Sequence, residues 1–211
     1  MELTQAQNIL KNINSHFNQI KCELEYNSPY QLLIAVILSA QCTDKRVNNV
    51  TKHLFKLAPD AQKMVDLGVD KISQLIHSCG FFTVKAKNIY NCSLKLLNNF
   101  NGQVPDNMQD LLTLDGVGRK TASVVLSECF NKPALAVDTH VFRVSNRIGL
   151  SDSKTVEECE KQLCELLPQD SWKNTHYSLV LFGRYYCKAK GFKCQNCKIK
   201  ESCKFYKSKH F

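Results

Sequence analysis

The chain has 211 residues, 44% of them hydrophobic, and carries 28 Lys and Arg against 19 Asp and Glu, a formal net charge of +9. That is enough apolar material for one or two packed domains. The longest apolar run, Leu32 to Leu38, is too short to cross a bilayer, and eleven cysteines, an odd number in a chain this long, argue against a disulfide scaffold. Met1 to Ile20 patterns as an amphipathic helix and not as a secretory leader, with Ala6, Ile9, Leu10, Ile13, Phe17 and Ile20 on one face. The expected setting is a reduced cytoplasm (nucleoid-associated in a bacterium), with no membrane.

Helical periods continue along the chain at Val47, Val50, Leu54 and Leu57, then at Ile72, Leu75, Ile76 and Cys79. Asp106 is placed to cap a short helix running to about Thr113. Ala122, Val125, Leu126 and Cys129 mark the inner face of another helix. Between the two lies Leu114-Asp115-Gly116-Val117-Gly118-Arg119-Lys120-Thr121-Ala122. Gly116 and Gly118 permit a tight hairpin and leave backbone N–H groups uncovered at the next helix's N-terminus, where amides and helix dipole bind phosphate without reading sequence. The pattern is a helix-hairpin-helix. Taken alone, Lys120 reads most simply as a phosphate ion pair.

The aliphatic stretch Pro133 to Val137 leads into Asp138-Thr139-His140. Val141, Val144 and Ile148 share a helical face, so the ordinary role of Asp138 is an N-cap. A last periodic helix runs through Val156, Cys159, Leu163, Leu166 and Leu167. Strand-length alternation is absent, and the expected class is all-α.

Four cysteines close the chain as Cys187-x6-Cys194-x2-Cys197-x5-Cys203, within seventeen residues. Four thiolates so placed suit either zinc or an iron–sulfur cluster. A zinc ribbon normally supplies two close pairs, whereas only Cys194 and Cys197 form one, so the uneven spacing favours a cluster. The other seven cysteines read as small core hydrophobes. From Arg184 to Phe211, nine Lys and Arg face Glu201 alone, leaving a net +1 over the remaining 183 residues. A basic lobe built around a metal centre is a footprint for a polyanion.

Taken together, the hairpin, the segment Ala136-Val137-Asp138-Thr139-His140 and the cysteine tail resemble the endonuclease III family, the bifunctional DNA glycosylase/AP lyases of the helix-hairpin-helix superfamily. Leu32 to Asp44, Gly80 with Lys85 and Ala86, and Asn101-Gly102 with Val104-Pro105 extend the likeness over essentially the whole chain. The resemblance implies two α-helical domains with a DNA-binding cleft between them. One is a six-helix barrel over about residues 22–132, with the helix-hairpin-helix at about 107–130. The other combines residues 1–21 and 133–211, with a cluster loop at 187–203.

By the same matching, Lys120 becomes the Schiff-base nucleophile and Asp138 the catalytic carboxylate, while Cys187, Cys194, Cys197 and Cys203 become ligands of a 4Fe-4S cluster. Gln41, Phe81, Gly116, Gly118, His140, Lys190 and Lys193 become DNA contacts. Phe81 stands at the position of an apolar wedge, and Gln41 at that of the residue filling the space left by an extruded nucleotide. The implied partner is double-stranded DNA carrying oxidised pyrimidines or abasic sites, met by a monomer. Asp115 departs from the family, which usually has proline there. Two rivals are adenine DNA glycosylase, which typically lacks the hairpin lysine, and a non-catalytic DNA binder, against which Lys120 and Asp138 together argue.

Overall fold

The computed structural model describes residues 1–209; the side chain of Lys209, counted in the basic tail, and residues His210 and Phe211 lie outside the described part. The described residues form eleven α-helices, three short 3-10 turns and no strand. In chain order the helices are α1 (Leu3–Asn14), α2 (Pro29–Ser39), α3 (Asp44–Leu57), α4 (Ala61–Leu75), α5 (Phe82–Phe100) and α6 (Met108–Leu112). There follow α7 (Arg119–Cys129), α8 (Thr139–Ile148), α9 (Val156–Leu166), α10 (Trp172–Tyr185) and α11 (Lys204–Lys209). None of the described helices is long and apolar enough to span a membrane. The chain divides into two compact units, Cys22–Lys132 and Met1–Lys21 with the chain from Pro133 onward.

The 22–132 unit is built on α2. Ser28 accepts a hydrogen bond from the amide of Gln31, Pro29 opens the first turn, and every side chain from Leu32 to Leu38 is buried. A helix apolar on all sides has to be enclosed, and α3, α5 and α7 pack against it. Each of its buried Leu, Ile and Val side chains contributes roughly 2 kcal/mol of transfer free energy. Beneath it the Tyr30 hydroxyl shares a 2.7 Å hydrogen bond with Ser93 on α5, so that the one buried phenol of this helix is satisfied. Helix α4 is interrupted at Gly68, whose φ of 77° takes the backbone out of the helical region.

The second unit gathers Ala6, Ile9, Leu10 and Ile13 of α1 with Val141, Val144 and Ile148 of α8, Cys159 and Leu163 of α9, and Leu179 and Phe182 of α10. Residues α8 and α10 share a close approach at Gly183, where an added Cβ would lie 3.0 Å from both His140 Cβ and Val144 Cγ2. Helix α9 begins with a reciprocal capping box between Thr155 and Glu158.

Three expectations need correction. The first helix ends at Asn14, not near Ile20; Ser15 closes it, and Phe17 packs on the core from outside the helix. The cap of α6 is Asn107, whose side chain accepts the Asp110 amide, while Asp106 forms a 2.7 Å ion pair with Lys132. Leu57, placed on the inner face of α3 by its period, is 52% exposed at the last turn, and Ala58 is buried in its stead.

Candidate active site and thiol cavity

The hairpin between α6 and α7 is shaped by its backbone. Gly116 has φ +76°, and an added Cβ would meet Asn88 at 3.0 Å from its Cβ and 3.1 Å from its amide nitrogen. Gly118 is the N-cap of α7, offers no side chain to its first turn, and has nothing within 4 Å of where a Cβ would stand. The first glycine is therefore required by conformation and neighbour, and the second leaves the helix start open to a close-approaching anion. Val117 is buried beneath the turn, whereas Gly116, Gly118 and Arg119 are exposed and Lys120, in the first turn of α7, is half-buried. Lys95 steadies the entry by donating to the Thr113 carbonyl at 2.6 Å.

Asp138 is the N-cap of α8, the ordinary role expected of it. Its Oδ1 accepts the amides of both His140 and Val141 at 2.8 Å. That arrangement uses one carboxylate oxygen for the cap and leaves Oδ2 out of it. The half-buried His140 lies against Arg143, whose guanidinium donates to the Gly183 carbonyl at 2.8 Å and to the Cys187 carbonyl at 3.1 Å. Burial holds the Arg143 pKa below its ordinary value, with the nearby Asp138 and Cys187 opposing that shift. Lys120 belongs to the 22–132 unit and Asp138 to the other.

The segments of Gln41 and Phe81 run side by side, and a Cβ on Gly80 would stand 3.6 Å from the Gln41 carbonyl oxygen. Both are exposed, Phe81 by 65%, and both have left-handed backbones, with φ of 52° and 57°. A non-glycine residue in that region is strained by about 1–2 kcal/mol, and strain of this kind persists where the surroundings over-determine it. The surroundings here include Lys85. It is only 5% exposed, and its ammonium donates to the carbonyls of Leu38 at 2.8 Å and Ala40 at 2.6 Å, at the end of α2. Burial lowers the Lys85 pKa, and Cys42 and Cys79 counter that. Sequence pattern gave no sign of this, because a lone lysine reads as a surface residue.

The four tail cysteines line one cavity of about 350 Å³, with Arg147, Phe182, Phe192 and Phe205 among its other walls. Their surroundings suit anionic sulfur. The amide of Ile199 hydrogen-bonds the Cys197 sulfur, and those of Phe205 and Tyr206 bond the Cys203 sulfur. Arg147 Nη1 lies 3.6 Å from Cys187 Sγ. In the thiol form burial pushes Cys194, Cys197 and Cys203 up, and neighbouring thiols add to this. Ligation would replace those protons. Among the described residues no group of three or more His, Cys, Asp or Glu is arranged to hold a metal ion.

The loop around the cavity is held by Arg147. Its two terminal nitrogens donate to the carbonyls of Lys188 at 2.7 Å and Ala189 at 3.2 Å. Its guanidinium sits between two rings, 4.8 Å from the centre of Phe192 and 4.9 Å from that of Phe205. Lys190 and Lys193 stand exposed on this loop. Sequence reasoning missed both Arg143 and Arg147; their spacing of four on one helix is the only local signal, and it does not reveal that they face the cysteine tail.

Residues 34–169 match the model of the HhH-GPD superfamily base excision DNA repair protein. The chain is 42% identical to endonuclease III of Haemophilus influenzae over 211 residues, covering all of both proteins. It is 42% identical to endonuclease III of Bacillus subtilis over 205 residues, 97% of this chain and 94% of that one. Among solved structures it resembles endonuclease III trapped in a covalent intermediate with DNA, an estranged-adenine complex, with a TM-score of 0.94, 40% identity and complete coverage of both chains.

Proposed function

The chain belongs to the endonuclease III family of the HhH-GPD superfamily of base excision DNA repair proteins, and we propose that it removes oxidised pyrimidines from double-stranded DNA and then cleaves the abasic strand. The reading rests chiefly on Lys120, an amine in the first turn of a helix whose uncapped start follows the glycine hairpin. The hairpin amides and Lys190 and Lys193 hold phosphates, Phe81 enters the stack and Gln41 fills the space of the extruded nucleotide, for which unstacking costs a few kcal/mol. The amine of Lys120 attacks C1′ of the sugar, and the bond to the base breaks, the base leaving with the proton that the nitrogen gives up. Asp138, through the oxygen its cap leaves unused, steadies positive charge on the ring. The C1′–O4′ bond then opens, O4′ takes up a proton and nitrogen and C1′ form an iminium; loss of a C2′ proton follows, and the C3′–O bond breaks with its electrons, nicking the strand on the 3′ side. The protein acts as a cytoplasmic monomer.

Cys187, Cys194, Cys197 and Cys203 would hold a 4Fe-4S cluster. What supports this is a cavity walled by four sulfurs with amide and guanidinium donors aimed at them. Bound there, the group supplies a cross-link that shapes the basic loop. Anaerobically purified protein is expected to carry about four iron and four sulfide per chain; stoichiometric zinc would reverse the assignment.

Borohydride trapping on abasic DNA tests the nucleophile. Lys120→Gln should keep binding but lose adduct and nick; a variant that traps at wild-type yield rules Lys120 out. Asp138→Asn preserves an N-cap residue, so fold stability should hold while base release slows strongly and lyase activity on preformed abasic sites stays measurable. Equal loss of both steps would make Asp138 a partner in each.

A further inference from the structure

The segments bearing Gln41 and Phe81 also carry Cys42 and Cys79, whose thiols lie near enough to act on one another. The two backbones run close together here: a Cβ on Gly80 would stand 3.6 Å from the Gln41 carbonyl oxygen. Arg46 of α3 reaches across to the Ser78 carbonyl at 3.4 Å. Lys85 fixes the end of α2 from below through Leu38 and Ala40, and its ammonium acts electrostatically on both sulfurs. The two thiols differ in access. Cys42 is half-buried, whereas Cys79 is 1% exposed. Burial, reinforced by Cys42, pushes the Cys79 thiol up to about 11, with Lys85 and Arg46 opposing.

We propose that Cys42 and Cys79 form a reversible disulfide that acts as a thiol switch on the DNA-reading edge of this protein. A disulfide asks for Cβ atoms about 3.8 Å apart, and the close approach of the two segments at Gly80 and Gln41 brings their cysteines towards that separation. The oxidant is a low-molecular-weight disulfide. The thiolate of Cys42, the accessible partner, attacks one of its sulfurs, the S–S bond breaks, and one small thiolate leaves, taking up the proton lost by Cys42. Cys79 then attacks the Cys42 sulfur of the mixed disulfide. The second small thiolate departs and takes the Cys79 proton. The protein dithiol has lost two electrons and the small disulfide has become two thiols. A paired cationic environment and a neighbouring second thiol are what separate sensing cysteines from packed ones.

Closing the bond to about 2.05 Å draws the two segments together and moves Gln41 and Phe81, which lie one and two residues from the cysteines and carry left-handed backbones. The consequence for DNA rests on the reading of those two residues given above. The test uses the protein with its metal centre intact, equilibrated without oxygen against reduced and oxidised glutathione, then alkylated and mapped. The expected product is a peptide pair joined through Cys42 and Cys79, cleaved again by excess reduced glutathione. Cys79→Ser should instead accumulate glutathione on Cys42, since nothing resolves the mixed disulfide. Full alkylation of both cysteines at every ratio would overturn the proposal. In the oxidised form affinity for DNA with an abasic-site analogue should fall roughly tenfold and return on reduction, with Cys42→Ser insensitive throughout. If the bond forms without that loss, reduced Phe81→Ala decides the matter. A Phe81→Ala protein that binds like wild type shows that the wedge reading has failed. One that binds weakly shows that the wedge stands and the switch does not exist.

Discussion

The hairpin at 114–120 and the cysteine loop at 187–203 both present cations, the one from the first turn of α7 and the other from irregular backbone, yet they are held by opposite means. The hairpin is a backbone device: one positive-φ glycine pressed against Asn88, a buried Val117 and the packed start of α7. It needs no cofactor. The loop has only two 3-10 turns of regular structure, at Cys194–Asn196 and Lys200–Ser202. Its order comes from side chains at its margin, Arg143 and Arg147 on α8 and the ring of Phe205, and, on the function proposed above, from a cluster held by the four sulfurs. On that reading a cationic surface is fixed through φ and ψ in one region and through cross-links in the other, and the two should fail under different treatments.

The largest expected difference follows Cys197→Ser. Losing one ligand should open residues 187–203, a loss of several kcal/mol of local stability, while amides of α7 keep their protection. Hydrogen exchange read separately over the loop and over α7 measures this. Equal loosening of both would abolish the contrast, and an unchanged loop with full iron content would remove Cys197 from the ligand set.

Gly116→Ala attacks the other region. The left-handed backbone alone costs about 1–2 kcal/mol, and the contact with Asn88 adds to it. Urea unfolding should show that loss. Asn88→Ala in the same protein should recover the contact part and not the conformational part. Gly118→Ala is the sharper companion, because its Cβ would meet nothing and its φ is −96°. Stability should hardly change, while affinity for DNA falls as the methyl group holds phosphate away from the helix start. Unchanged affinity would mean that the α7 amides do not face the backbone of the duplex.

How much of this could be read from the chain depends on the range of the cause. Helices were legible where a period of apolar residues survives burial, as at Val141, Val144 and Ile148, because amphipathicity is local. Ends were less so. Asp106 and Asn107 are both competent caps, and Lys132, distant in sequence, drew the first into an ion pair. The hairpin was legible because its glycines are its mechanism. The tail's four sulfurs were legible by type and count. Arg147 was not, since its partners lie 41 and 42 residues on. Cys42 and Cys79 read as core thiols for the same reason: only tertiary structure brings positions 37 apart together, and a Lys85 buried at 5% exposure runs against the ordinary prior for lysine.

A smaller effect should follow from changing Lys190 and Lys193 together to Ala. Both are exposed on the loop, and ammonium groups on irregular backbone neutralise phosphates better than they read bases. Binding should weaken by similar factors on damaged and undamaged DNA. The plot of log affinity against log salt should become shallower by roughly two units, at ~0.9 per phosphate. An unchanged slope would place these lysines outside the interface, and a selective loss on damaged DNA would give the loop a role in sensing the lesion.

The smallest effect tests whether side chains at the margin matter once the sulfurs are cross-linked. In Phe192→Ala, Arg147 keeps the Phe205 ring and its bonds to the Lys188 and Ala189 carbonyls, and loses one aromatic face 4.8 Å away. One partly exposed cation–π contact is worth about 0.5–1 kcal/mol. Amide exchange across 188–193 should therefore quicken by a factor of about two to five, with iron content and α7 unaffected. The change in DNA affinity should be smaller than that from losing Lys190 and Lys193, because the charges remain and only their placement loosens. If exchange does not move, the four-sulfur cross-link alone orders the loop and the aromatic sandwich is incidental packing. If iron is lost as well, the sandwich supports the ligands themselves, and the loop depends on its margin more deeply than the hairpin depends on Asn88.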